Sequence, residues 1–246
     1  MKEILQQNGL LITGNCDLRD FTFEMPVLVW GGVRAYNVKL GAYSYISPNS
    51  GLTNTKVGRY SCIGHACEIG LSKHCVSDVI ISNLSPFRGI STKGLSENAY
   101  LGYKIDDEDP SLTNIANDVW IGAHSIIPAA HEINIANGAI VAAGSVVSKD
   151  VPAFAVVAGS PARVVKMRFS DEICADLESS CWWDYDWQEA AAALPGLARI
   201  APLNDAKAFC AWWRDGGADM MKPYLIIPQK RRVRREGQEV FLDKLL

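Results

Sequence analysis

Residues 40–70 read LGAYSYISPNSGLTNTKVGRYSCIGHACEIG, and an aliphatic side chain recurs at Leu40, Ile46, Leu52, Val57, Ile63 and Ile69, in steps of six, six, five, six and six. The beat returns at Ile115, Ile121 and Ile127, slips by two, and continues at Ile135, Val141 and Val147. A small residue often follows each aliphatic (Gly41, Gly58, Gly64, Gly70, Gly122), and another stands four places on (Ser44, Ser50, Ser61, Ser125, Ser145). A period of six matches neither the 3.6 of a helix nor simple alternation by two. It matches the flat rung of a triangular parallel β-solenoid, in which the aliphatic points inward, a small residue packs beside a corner, and three rungs close a coil. A sandwich of short strands also supplies frequent glycines, but it gives no reason for twelve aliphatics to share one beat.

Around this repeat the composition sets bounds. The 246 residues are 48% hydrophobic and 21% charged, enough for a sizeable core and incompatible with disorder. No stretch approaches the roughly 20 uninterrupted apolar residues of a spanning helix. The start, MKEILQQNGLLITGNCDLRD, lacks a basic region followed by an apolar run, so the expected location is cytoplasmic. Seven cysteines at irregular spacing, without a CxxC pair, fit reduced thiols and no structural metal. With 24 cations against 27 anions nothing global points to nucleic acid. Lys230-Arg231-Arg232-Val233-Arg234-Arg235 is the local exception. It offers a surface to an anionic glycan or a lipid headgroup, with plain solvated surface as the default.

The organisation follows from where the beat stops. Residues 1–39 read as irregular first coils, with FTFEMPVLVW as a strand. A segment from about residue 84 to 114 carries no beat and an acidic run, so it reads as a long loop thrown out of the solenoid. From Ser170, an N-cap candidate followed by Asp171 and Glu172, the pattern turns helical. The expected division is a β-helix domain over residues 1–169 and a helical extension with a basic tail over residues 170–246. The tryptophans at 182, 183, 187, 212 and 213 are expected to pack the helices together.

Two blocks carry a likeness to a known family: VGRYSCIGHACEIGLSKHCVSDVIISNLSPF, residues 57–87, and NDVWIGAHSIIPAAHEINIANGAIVAAGSVVSKDVPAFAVVAGSPARVVKMRF, residues 117–169. The chain resembles the hexapeptide-repeat acyltransferases, and within them the xenobiotic acetyltransferase branch of chloramphenicol and streptogramin acetyltransferases and related sugar O-acetyltransferases. The two blocks cover roughly a third of the chain. The resemblance implies an all-β solenoid, a left-handed parallel β-helix with an extended loop and an α-helical C-terminal region. Its handedness is an exception to the right-handed crossover rule. It also implies acetyl-coenzyme A as co-substrate, a homotrimer with substrate grooves between subunits, and a small-molecule or saccharide acceptor.

Acyl transfer from a thioester to a hydroxyl needs a base, an oxyanion donor and a groove for both substrates. The resembling enzymes place their catalytic histidine where His74 stands, ahead of an end like Ser85-Pro86-Phe87. A carboxylate on its imidazole N–H fixes the tautomer, and Asp78 is the favoured candidate over Glu68 and Glu97. His65 and His124 read as surface residues, and His131 falls where the beat slips. For acetyl-coenzyme A the matching positions are Trp120, Ala143, Gly144, Lys149, Arg163 and Lys166, supplying small residues for pantetheine and cations for phosphates. The resulting expectation is an O-acetyltransferase, with N-acetylation of an amino sugar as the nearest alternative. A zinc lyase like the γ-class carbonic anhydrases shares the fold, but its histidine spacing differs from the 9, 50 and 7 found here. A non-catalytic scaffold is the remaining alternative.

Overall fold

The twelve aliphatics of the beat are buried, none more than 2% exposed, and they stack on one another along a single axis. The computed structural model describes residues 9–71, 112–128, 131–236 and 239–244. Within them the chain winds into a parallel β-solenoid of about six turns, consistent with a left-handed β-helix, with a helical C-terminal region. The early strands are β1 (Leu10–Ile12), β2 (Asp17–Glu24), β3 (Val27–Val29), β4 (Arg34–Leu40), β5 (Tyr45–Ile46), β6 (Gly51–Val57), β7 (Cys62–Ile63) and β8 (Glu68–Leu71). After the interruption come β9 (Thr113–Ile115), β10 (Trp120–Ile121), β11 (Ile126–Pro128), β12 (Ile133–Ile135), β13 (Ile140–Val141), β14 (Ala155–Gly159) and β15 (Ala162–Met167).

The first face stacks β1, β3, β5, β7, β10, β13, β14 and β15 in that order. Strands β2, β4 and β6 each serve two faces, because Asp20, Asn37 and Asn54 put a left-handed residue (φ 50°, 53° and 47°) in mid-strand. Asn and Asp tolerate that conformation better than other side chains with a Cβ. Asn37 Nδ2 also donates to Asn54 Oδ1 at 2.8 Å, tying one corner to the next. The second face carries the N-terminal halves of these strands with β8 and β11; the third carries the C-terminal halves with β9 and β12.

Arg34 pairs with Gly51 seventeen residues on, so the step of five in the sequence is the bend at Asn54. Trp120 pairs with Ile140, a coil of twenty, and the extra residues fall in the corner between Ile127 and Ile133. The small residues four places after each aliphatic act through their hydroxyls. Ser44 Oγ donates to the Gly58 carbonyl at 2.6 Å and accepts from the Ser61 N–H at 2.9 Å, so buried corner groups of adjacent coils are paired. Ser50 repeats this with Gly64 and Cys67.

The first coils are more regular than their sequence suggests. FTFEMPVLVW is two strands either side of a corner, and β2 pairs in register with β4. Phe23 stacks on Leu40 and Ala35 on Leu52, so a ring and a methyl stand where aliphatics recur later, which hid the beat.

Five α-helices follow: α1 (Asp171–Ser180), α2 (Trp187–Ala193), α3 (Leu197–Ile200), α4 (Ala206–Trp212) and α5 (Ala218–Met221). Ser170 is the N-cap residue of α1 but makes no capping bond with its side chain. Asp186 and Asp205 do cap α2 and α4, accepting N–H groups at 2.8 and 3.0 Å. Trp183, Phe209 and Trp213 are buried among Trp182, Trp187 and Trp212, so the tryptophans are packing residues. The helices are bonded to the solenoid: Tyr60 Oη donates to the Tyr185 carbonyl at 2.6 Å, and Arg59 pairs with Asp184 at 2.7 Å.

The basic tail is an ordered strand, with Lys230 exposed on it. It forms β16 (Lys230–Glu236), which pairs antiparallel with β2 and continues into β17 (Glu239–Lys244). Val233 joins the core opposite Phe21, and the hairpin covers the solenoid's first edge. Among the described residues no helix is long and apolar enough to cross a membrane.

Candidate functional site

The corner between the first and second faces is built from Pro48-Asn49, His65-Ala66, Ala123-His124 and Ala143-Gly144 on successive coils. Backbone bonds join them: Ala66 N–H to the Pro48 carbonyl at 3.0 Å, His124 N–H to that of His65 and Gly144 N–H to that of Ala123, both at 2.8 Å. Asn49, Ala66, His124 and Gly144 all turn with positive φ. At Gly144 a Cβ would meet nothing within 4 Å, so the backbone lies open to whatever approaches this corner. At Gly122 a Cβ would fall 2.5 Å from the Ala143 nitrogen, so a bare α-carbon there lets the Ala143-Gly144 corner close onto the coil before it.

His65 and His124 are exposed, and their rings meet edge to face with centroids 5.5 Å apart. Reading them singly from the sequence missed that the corner stacks them beside Ala143-Gly144. Their offsets from the beat carried the signal: His65 stands two places after Ile63 and His124 three after Ile121, diagonal positions of one corner.

Arg163 is brought to the same place. The Ala162 N–H donates to the Val146 carbonyl at 2.8 Å and the Val146 N–H to that of Gly159 at 2.9 Å, which lays the β14–β15 hairpin against the residues just after Gly144. The Arg163 guanidinium bonds its neighbour's carbonyl, that of Ala162, at 2.8 Å. Trp120, 54% exposed, shares an outward column of the first face with Ile140, Val156 and Lys166. Three strand spacings separate Trp120 from Lys166, about 14 Å.

Lys149 stands apart from this group. It lies between Ser148 and Asp150 at the corner between the second and third faces, where the Asp150 carboxylate accepts the Asn134 N–H at 2.8 Å. His131 is exposed near that corner, at the start of the next rung. Among the described residues none of Lys149, Arg163 and Lys166 forms an ion pair. His74 and Asp78 lie outside the described residues. Glu68 is committed elsewhere, to Arg34 at 2.5 Å.

Among the described residues the thiols are poorly suited to nucleophilic catalysis. Burial pushes the Cys62 and Cys67 thiols up, and the same cause raises Cys16, Cys174, Cys181 and Cys210. Tyr45, bonded to Cys62, is pushed up to about 12 and stays protonated. Among the described residues no three His, Cys, Asp or Glu side chains converge to hold a metal.

No protein-family model matches the chain. It is 27% identical over 198 residues to the chloramphenicol acetyltransferase of Agrobacterium fabrum, an alignment that covers 74% of this chain and 90% of that one. This likeness supports the hexapeptide-repeat acyltransferase superfamily that the two sequence blocks resemble. A second relative, the chloramphenicol acetyltransferase of Klebsiella aerogenes, is 40% identical over 85 residues, covering 35% of this chain and 40% of its own length. Among solved structures, an N-acyltransferase from Bacillus cereus in complex with dTDP and coenzyme A superposes with a TM-score of 0.50. It is 19% identical, covering 73% of this chain and 95% of its own, a likeness of fold.

Proposed function

We propose that the protein is an acetyl-coenzyme A-dependent O-acetyltransferase, acting as a homotrimer on a hydroxyl of a saccharide or a hydroxylated xenobiotic. The observation that carries this reading is the open Ala143-Gly144 corner with Arg163 beside it, which forms no ion pair among the described residues, within the block that carries the resemblance. The donor fits these residues. A pyrophosphate and a 3′-phosphate need cations not consumed by carboxylates, and Arg163, Lys166 and Lys149 meet that condition among the described residues. Trp120 supplies an exposed aromatic face, and Ala143 and Gly144 let a pantetheine chain approach the backbone.

Acetyl-coenzyme A supplies an activated acyl carbonyl. In this reading the His74 imidazole takes the proton of the acceptor hydroxyl as its oxygen bonds to that carbon. His74 then returns the proton to the departing sulfur as the C–S bond breaks. Asp78 is assigned to hold the other imidazole nitrogen. The outward column of the first face supports self-association: Leu11, Tyr45 and Trp120 stand exposed on it, Leu28 and Cys62 lie between them, and Ile140 and Val156 follow.

The test is release of coenzyme A from acetyl-coenzyme A, followed with a thiol reagent across a panel of sugars, chloramphenicol and other hydroxylated antibiotics. Acceptor-dependent release with an ester product supports the proposal. Release only with amino sugars, giving an amide, replaces it with N-acetylation, and no release with any acceptor overturns it.

A further inference from the structure

On the side of the solenoid away from the Gly144 corner, a groove of about 450 Å³ opens where the third face, the helical region and β16 meet. Its charged lining consists of Lys39, Lys56, Lys230 and Arg59, with Glu24 and Asp184 as the only carboxylates among the described residues. Arg59 takes up both, pairing with Glu24 at 2.8 Å and Asp184 at 2.7 Å. Lys39, Lys56 and Lys230 are exposed and form no ion pair among the described residues.

The register makes this arrangement specific. Lys39 and Lys56 are direct partners on β4 and β6, outward residues flanked by buried Val38, Leu40, Thr55 and Val57. Their α-carbons are therefore one strand spacing apart, about 4.8 Å. Two ammonium groups rooted so closely repel each other, and an anion held between them relieves the repulsion. Lys230 comes from the far end of the chain, and β16 places it opposite Glu24, at the rim of the same groove.

We propose that this groove binds an anionic saccharide, one whose negative groups lie close enough together to bridge Lys39 and Lys56, with Lys230 contacting a further group. Naming a saccharide rests on the proposed acetyltransferase reading; the anion chemistry rests on the groove alone. Phosphates of a sugar nucleotide and carboxylates of an acidic glycan share this chemistry.

The experiment is calorimetric titration of the full chain at low salt, without acyl donor, with inorganic pyrophosphate, UDP-glucose, tetragalacturonate and neutral maltotetraose. Binding of the sugar nucleotide or of the uronate, but not of maltotetraose, is expected, and the responding arm identifies the source of charge. The Lys39→Ala/Lys56→Ala variant should bind that ligand roughly tenfold or more weakly, as expected for lost charge-assisted contacts. Lys39→Arg/Lys56→Arg should restore binding, and thermal melts of both should match the parent. Equal affinity in parent and alanine variant, or binding of pyrophosphate alone with neither saccharide, overturns the assignment. Because no acyl transfer is measured, either result leaves the proposed activity to its own test.

Discussion

Arg34 and Glu68 meet at 2.5 Å across Gly51, which lies between them on the intervening coil. A Cβ at Gly51 would sit 2.4 Å from Glu68 Oε2 and 3.0 Å from Arg34 Nη2, both ends of partly exposed, movable side chains. Gly51→Ala therefore need only part a surface ion pair, a loss of about 1 kcal/mol or less. Gly122→Ala is different, because its neighbours are the backbone nitrogen of Ala143 and the carbonyl oxygen of Val141. The coils must separate, with a loss of about 1–3 kcal/mol. Denaturant melts of the two variants should rank them in that order; equal losses would contradict the contact geometry.

Arg163 and Lys149 occupy different corners, yet both are assigned to the acyl donor. Replacing either with Ala should raise the Michaelis constant for acetyl-coenzyme A roughly tenfold, with turnover nearly kept, as for a contact made equally in ground and transition states. An unchanged constant for Lys149→Ala would confine the donor to the Gly144 corner.

His74→Ala should lower turnover by roughly 10²–10⁴, the range for a lost general base, while acetyl-coenzyme A still binds. Calorimetry of the donor on the variant, paired with its turnover, checks this. A folded variant with near-parental turnover ends the assignment.

Asp118 and Arg168 provide a pH test. Burial pushes the Asp118 carboxyl above its ordinary value of 3.8, and Arg168, 3.0 Å away, pulls it back. A carboxyl raised on folding takes up a proton when the chain folds, so its contribution to stability is most favourable in acid and declines as pH rises through the folded value. Without Arg168 the carboxyl rises further and the decline steepens. Arg168→Ala should cost about 2 kcal/mol near neutrality, or roughly 4–8 °C in melting temperature. The gap to the parent should shrink in acid, below the ordinary carboxylate value. Melts across pH check the sign, and a gap independent of pH would show that the ion pair contributes little.

The solenoid was legible in the sequence because its physics is periodic. Leu40, Ile46, Leu52 and their successors must point inward, and the small residues after them must fit beside backbone. The first coils were not legible, since Phe23 and Ala35 fill the same positions without the aliphatic signature. Nor was the role of the tail: KRRVRR reads as charge, whereas its one apolar residue, Val233, decides that it docks as a strand. At the candidate site the sequence supplied Ala143, Gly144 and Arg163, which the coils bring to one corner. The pairing of His65 with His124 needed the diagonal stacking of two coils 59 residues apart in sequence, which no local pattern expresses.

The pairing of β16 with β2 also sets an order of assembly. A solenoid can wind coil upon coil as the polypeptide leaves the ribosome, each turn resting on the one before. The register joins Thr22 to Arg232, however, so the strand that seals the first turn is synthesised some 210 residues after it. Until then the β2 edge of a nascent chain presents unpaired backbone to its neighbours, including other copies on the same message. Chains halted before residue 230 would keep that edge open, and such truncated products should accumulate as aggregates while the finished protein remains dispersed.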